Sequence, residues 1–269
     1  MSESNAGMRF KNTVAIVTGS THNPSIGRST ATRLAREGAS VVINGRSPDA
    51  VELAQKEMQA EGLKVVGVAG SMEDDGLAER LVATAVKEFG PVTAIVNTVG
   101  GAPGIESGRT MTKEMFLGTV ALNTWPSIEL VQIALENGLS ANKGAVVFVS
   151  SGTTHMTTPT MIAYKAGKSA LNAVTATLAR DLGALGIRVN AVAPGMTFTT
   201  ATQSLLDGPF AKAGEDHPLR RLPHADDIAD VACFLLSQDA LMVTGQVIDV
   251  DAGAHLVGGW SPYTPPVED

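Results

Sequence analysis

Cysteine is almost missing from this 269-residue chain: Cys233, in DDIADVACFLLS, is the one thiol. A disulfide within the chain is excluded, and such cysteine usage suits a reducing cytosol. The apolar helical setting of Cys233 reads as buried structure rather than reactivity. Positive charge is also scarce, with 20 Lys and Arg against 27 Asp and Glu and a formal net charge of −7. That balance argues against a nucleic-acid or anionic-membrane surface. No apolar run approaches the roughly 18 residues that a membrane span needs. The opening stretch, MSESNAGMRFKN, lacks the apolar core of a signal peptide. No His, Cys or Asp group has metal-ligand spacing, so no catalytic metal is expected. The expectation is a soluble, cytoplasmic protein with neither membrane nor nucleic acid as partner.

What is present is apolar substance, 44% of the residues, ample for a sizeable core. Short runs rich in Val, Ile and Ala lie at 13–18, 40–44, 64–69, 92–97, 144–150, 187–193 and 246–250. The first six lack strict alternation, as strands covered on both faces do. Helical segments are expected near 26–37, 48–61, 73–89, 111–137, 159–184 and 225–237. Gly38, Gly62, Gly90, Gly138 and Gly186 stand where helix C-caps belong. Asp226 and Asp227 put negative charge at the start of the last helix. Strand–helix alternation with right-handed crossovers implies an α/β fold: one doubly wound parallel sheet of about seven strands, with helices on both faces. The expected organisation is a flexible leading segment at 1–10, one domain at 11–253 and a tail at 254–269. Within the domain, 196–218 is aperiodic and carries Met196, Phe198, Leu205, Leu206 and Phe210, reading as a substrate lid. The tail, with Trp260 and Tyr263, stays undecided.

Tyr164 and Lys168 carry the chemistry. They stand four apart in AYKAGKSALNAVTATLA, so they share one helix face. A neighbouring ammonium favours the phenolate, so Lys168 is expected to lower the Tyr164 pKa below its usual value of about 10. A phenol tuned in this way can hand a proton to a developing alkoxide. Ser151, 13 residues upstream at the end of a strand, is placed to hydrogen-bond the same oxygen. After the first strand, TGSTHNPSIGRSTATRLA feeds a glycine-containing turn into a helix, a ready phosphate site.

The ordered motifs TG…SIG at 18–27, NTVG at 97–100, Asn123 in VALNTW, SSG at 150–152, YKAGK at 164–168, RVNAVAPGMTFT at 188–199 and TGQVIDVDAG at 244–253 resemble the short-chain dehydrogenase/reductase family, over roughly residues 11–253. The resemblance implies a Rossmann domain, with Tyr164 as general acid/base and Ser151 polarising the substrate carbonyl. Lys168 would lower the Tyr164 pKa and bond the nicotinamide ribose, and Asn123 would hold a water relaying protons towards Lys168. It further implies cofactor contacts at Gly19, Ser20, Ser25, Ile26, Gly27, Arg46, Ser71, Met72, Asn97, Gly100, Tyr164, Lys168, Pro194, Gly195, Thr197 and Thr199. His155 is read as lining the substrate mouth.

Three departures stand out. The first loop is two residues longer than the family's TGxxxGxG and has Ser25 for the middle glycine, similar to the loop of enoyl-acyl-carrier-protein reductases. Ser25 either caps the helix or gives its hydroxyl to the pyrophosphate. NTVG replaces NNAG, and Ser71 replaces an aspartate that usually touches the adenine. The YxxxK spacing resembles carbonyl reductases instead. The second strand ends VVINGRS, with Arg46 and no carboxylate, which points to NADP(H) over NAD(H). The expected function is an NADP(H)-dependent reductase of a ketone or aldehyde, with 3-oxoacyl and polyketide ketones among the suited substrates, or an alcohol dehydrogenase in reverse. Enoyl reduction and a catalytically silent cofactor-binding regulator are the alternatives. Family resemblance and the apolar Leu171, Val174, Leu178 and Leu182 imply a homo-oligomer, a tetramer or a dimer.

Overall fold

The structure, a computed structural model, describes residues 8–103, 105–156, 158–208 and 212–257. Residues 1–7 of the leading segment, Phe210 of the lid and the tail from 258, with Trp260 and Tyr263, lie outside the described residues. Seven parallel strands form one sheet in the order β3-β2-β1-β4-β5-β6-β7. They are β1 (Val14–Val17), β2 (Ser40–Gly45), β3 (Val65–Ala69), β4 (Ala94–Asn97), β5 (Ala145–Val149), β6 (Arg188–Pro194) and β7 (Val247–Val250). The helices are α1 (Ile26–Arg36), α2 (Pro48–Ala60), α3 (Leu77–Glu88), α4 (Lys113–Ala134), α5 (Ile162–Leu182), α6 (Gln203–Leu206) and α7 (Ala225–Leu236).

Alternate strand residues feed two cores. Ala15, Val17, Val41, Ile43, Val147 and Val149 pack with Leu34 of α1, Met58 of α2 and Ile228 of α7. Ile16, Val42, Val146 and Phe148 pack on the other face with Leu81, Leu130 and Leu171 of α3, α4 and α5. Both faces are apolar because both are covered, which is why the strands show little polar alternation. The five glycines at the expected helix stops all adopt positive φ. Arg188, at the start of β6, donates its guanidinium to the Leu236 and Ser237 carbonyls at 3.1 and 3.0 Å, closing the end of α7. Cys233 is buried against α1, and burial pushes its thiol up to about 12, so it is structural.

Four expectations change. Phe10, assigned to the leading segment, is a buried core residue, and Arg9 bonds Glu37 at 2.7 Å, so the packed domain begins before residue 11. Helix α3 starts at Leu77 rather than near 73: Asp74 accepts from the Ser71 amide at 2.8 Å and builds a turn that competes with helix. Regular α4 stops at Ala134, where Asn137 turns its amide back onto the Ile133 carbonyl at 2.8 Å. Leu171 and Leu182 are buried and Val174 and Leu178 pack partly on the same core, so the protomer's own packing already uses all four. Among the described residues, no helix is long and apolar enough to cross a membrane.

Candidate active site

The sheet order reverses between β1 and β4, and the loops leaving their carboxyl ends meet there, the usual ligand position in doubly wound folds. Asn97 clamps this junction. Its amide donates to Ser127 Oγ on α4 at 2.6 Å, and its oxygen accepts from the Thr18 hydroxyl and the Val99 amide. Asn97 thus holds the turn from both ends of its amide. Thr98 adds a bond from Oγ1 to the Thr18 carbonyl at 2.7 Å.

The β1–α1 turn has the shape a dinucleotide needs. Gly19 takes φ +60°, and a Cβ at Gly27 would lie 2.4 Å from the Gly19 carbonyl oxygen, so α1 can approach β1 only through glycine. Ser25 is the N-cap, its hydroxyl accepting from the Arg28 amide at 3.1 Å, and its own proton remains available. Ile26 packs partly against the core. Ser20 departs from expectation: its amide and hydroxyl tie into the Asn44 and Val17 carbonyls, at 2.9 and 2.7 Å, and it is fully buried. It joins β1 to β2, with its amide and hydroxyl proton both turned inward. Met72 likewise turns its side chain into the core beside Leu77, because residue 72 faces the sheet. Ser71 folds its hydroxyl towards the Glu73 amide. Arg46 is exposed and, among the described residues, has no hydrogen-bond or ion-pair partner.

Helices α4 and α5 bring several of the predicted site residues together. A Cβ at Gly167 would lie 2.9 Å from Asn123 Cβ, so this glycine lets the helices close. Asn123 and Lys168 then converge on Gly100, where a Cβ would sit 2.5 Å from Asn123 Oδ1 and 2.6 Å from Lys168 Nζ. Gly101, absent from the sequence reading, exchanges two hydrogen bonds with the Asn123 amide, at 3.1 and 2.8 Å. Buried Lys168 donates to the Val149 carbonyl at 2.7 Å.

The Tyr164 pKa runs opposite to expectation. Burial raises it, and hydrogen bonding from Ser151 only partly opposes that. Lys168 Nζ stands 5.9 Å from the Tyr164 ring centroid with its proton on a carbonyl, and burial pushes the amine down to about 8. Burial therefore sets the direction of the shift, and Tyr164 is held as a neutral phenol.

Across the cleft, Pro194 ends β6 and Gly195 packs on Asp251, where a Cβ would meet Asp251 Cβ at 2.8 Å. Thr197 bonds the Gly195 carbonyl at 2.9 Å, and the Thr199 and Thr202 hydroxyls are 3.1 Å apart. His155 is exposed at the mouth, 3.3 Å from Asp249 of β7. Asp249, Thr202 and Thr153, which bonds Ser151, escaped the sequence reading. Their partners are set by loop geometry, for which no local signal exists.

A family model described as Enoyl-(Acyl carrier protein) reductase matches residues 19–255. Glucose 1-dehydrogenase of Gluconobacter oxydans is 34% identical, over 93% of this chain and 94% of that protein. Dehydrogenase/reductase SDR family member 4 of Homo sapiens is 35% identical, over 90% and 87%. The 3-oxoacyl-(acyl-carrier-protein) reductase of Staphylococcus epidermidis is 30% identical, over 91% and 100%. Among solved structures, a short-chain type dehydrogenase/reductase from Mycobacterium ulcerans superposes with a TM-score of 0.87 at 30% identity, covering 93% of this chain and 92% of that one. A 7α-hydroxysteroid dehydrogenase complexed with NADH and 7-oxo glycochenodeoxycholic acid gives 0.86 at 29%, covering 94% and 98%.

Proposed function

The chain belongs to the short-chain dehydrogenase/reductase family and is an oxidoreductase of C=O and CH–OH groups, and on that premise we propose an NADP(H)-dependent ketone reductase that works through Tyr164. The observation that carries the mechanism is the convergence of Ser151, Tyr164 and Lys168 where β5 meets α5. When bound, the nicotinamide cofactor supplies hydride to the carbonyl carbon or accepts it from the alcohol.

Tyr164, kept neutral by burial, delivers its proton to the substrate oxygen as negative charge develops there. Ser151 donates a hydrogen bond to that same oxygen, a donor already in place before the charge appears. Lys168, with its lowered pKa and 5.9 Å from the Tyr164 ring, and Asn123, which meets it at Gly100, return the proton through water. Gly19, Ser25 and Gly27 hold the diphosphate at the start of α1, and Arg46 meets the 2′-phosphate. Thr197 and Thr199 face the nicotinamide end with Pro194 and Gly195. The exposed Leu205 on α6 supports a substrate of moderate hydrophobicity, a 3-oxoacyl or polyketide-type ketone.

A second reading, reduction of an enoyl C=C bond, draws on the Ser25 loop and on the description of the matching family model. NADPH oxidation against ketones, 3-oxoacyl thioesters and enoyl thioesters separates the two. Turnover of enoyl thioesters alone would reverse the assignment. Tyr164→Phe is expected to lose about 10²- to 10⁴-fold in kcat with cofactor affinity intact. Near-normal turnover in that variant would sink the role of Tyr164.

Exposed Leu117 and Trp125 on α4 and Ile162 on α5 favour burial against a second copy, in a tetramer or dimer. Sedimentation showing only monomer at micromolar concentration would remove that part of the reading. Cys233 as a buried free thiol suits a cytoplasmic setting.

A further inference from the structure

Ser151 Oγ receives two hydrogen bonds from a residue two positions on: the Thr153 amide at 3.3 Å and the Thr153 hydroxyl at 3.0 Å. A serine hydroxyl has one proton and two lone pairs to accept with. With both lone pairs engaged by Thr153, Ser151 is left with its proton alone to offer the cleft. Were Ser151 free to rotate, its oxygen would accept from the Tyr164 hydroxyl, and that arrangement favours the neutral phenol. We propose that Thr153 is a positioning residue that fixes Ser151 as hydrogen-bond donor to the reacting oxygen. A Ser151 hydroxyl held as donor pulls Tyr164 towards ionisation, against the larger effect of burial. The proposal rests on the carbonyl-reductase reading for its catalytic consequence, though not for its geometry.

The turn that carries Thr153 is pinned independently of its hydroxyl. Thr154 donates its amide and hydroxyl to the Ser151 carbonyl, at 3.1 and 2.9 Å. Gly152 packs so closely that a Cβ would meet the Pro194 carbonyl oxygen at 3.3 Å. Lys165 reaches from α5 to the Met156 carbonyl at 2.9 Å and holds the far side of the loop. Removing the Thr153 hydroxyl therefore leaves the backbone in place and frees one lone pair of Ser151. The titratable groups on the surrounding elements are Lys168 and Lys165 of α5, His155 of the loop and Asp249 of β7. Lys168 and Lys165 are tied to carbonyls, and His155 lies beside Asp249. Among the described residues, none of them bonds Thr153.

The test exploits the tyrosine content, since Tyr164 and Tyr263 are the two phenols of the chain. In a Tyr263→Phe background, the near-ultraviolet tyrosinate band reports Tyr164 alone, without substrate or turnover. Thr153→Val is expected to move this titration to higher pH, and Thr153→Ser, which restores a hydroxyl, to return it to the parent position. In steady state, Thr153→Val should lower kcat roughly three- to tenfold, the worth of one hydrogen bond, with the cofactor KM unchanged. Thr153→Ala takes the place of the valine variant should β-branched bulk disturb the fold. A titration identical in the parent and the hydroxyl-less variant overturns the proposal, as does a serine variant that behaves like valine. A wild type that turns over no carbonyl or alcohol defeats the reading of the reaction, yet leaves the titration to decide on Thr153.

Discussion

Thr200 donates both its amide and its hydroxyl to the carbonyl of Pro24, at 2.9 and 3.0 Å. This joins the extended β1–α1 loop to the segment leaving β6, two stretches separated by 176 residues in the chain. One stretch is proposed to hold the diphosphate and the other the nicotinamide end, so one carbonyl links both ends of the cofactor cleft. Thr200→Val removes the hydroxyl bond and keeps the amide bond. Cofactor affinity is expected to fall roughly three- to tenfold. Stability should change by no more than about 0.5 kcal/mol, because the residue is exposed. Fluorescence titration with the cofactor beside thermal melting checks both, and unchanged affinity would show the two loops to act separately.

Two glycines in the cleft are expected to fail in different ways when changed to alanine. At Gly27 the new methyl meets backbone, the Gly19 and Thr18 carbonyl oxygens at 2.4 and 2.9 Å, which cannot step aside. At Gly100 it meets the Asn123 amide oxygen and the tip of Lys168, which can. Gly27→Ala should therefore lose about 1–3 kcal/mol of stability in urea unfolding. Gly100→Ala should unfold near the wild-type midpoint but lose most of its turnover, because Lys168 and Asn123 are pushed from their places. A Gly100→Ala protein with full kcat would separate that pair from catalysis.

Local chemistry explains which parts could be read ahead. The Val- and Ile-rich runs and their glycine stops encode strand and helix within a few residues, and all seven strands fall where those runs lie. Tyr164 and Lys168 were legible because helical spacing is local. The sign of the Tyr164 shift was not, since it depends on burial by distant segments that spacing does not encode. Ser20 and Met72 carried a family expectation, yet their orientation is settled by which side of the sheet the chain leaves on. The start of α3 was missed because Asp74 offers the backbone a turn that apolar periodicity conceals.

Lys168 should leave a signature in the pH dependence of stability. Burial lowers it from 10.5 to about 8, so between those values the unfolded chain binds a proton that the native state does not. Stability then rises with pH through that window. Cys233 and Tyr164, both raised by burial, act in the opposite sense above about 9 and 10, the values at which the unfolded thiol and phenol ionise. The readout is therefore the difference between wild type and Lys168→Met, where those terms cancel. From pH 8 to 10 the wild type should gain on the order of 2 kcal/mol relative to the variant, at about 1.4 kcal/mol per unit. A constant difference across that range would mean that Lys168 keeps an ordinary pKa in the folded protein.

Arg46 is expected to set cofactor choice. The turn that carries it is fixed from both sides. Asn44 donates its amide to the Val68 and Gly70 carbonyls at 3.0 and 3.1 Å, and Gly45 packs so tightly on Thr21 that a Cβ would lie 2.5 Å from its hydroxyl. Such a turn holds the guanidinium at the end of β2, where NAD-specific folds place a carboxylate for the ribose hydroxyls. A carboxylate repels a 2′-phosphate, whereas an arginine with no partner among the described residues can bind it through paired, charge-assisted hydrogen bonds. Arg46→Ala should raise the NADPH KM roughly 10- to 100-fold, the worth of hydrogen bonds to a charged group, and leave the NADH constant within about twofold. The NADPH constant of the wild type should also weaken with added salt more steeply than that of the variant, as an exposed charge pair does. Steady-state kinetics with both cofactors at two ionic strengths check this. A wild type that prefers NADH, or an Arg46→Ala variant with an unchanged NADPH constant, would leave this guanidinium an ordinary surface charge.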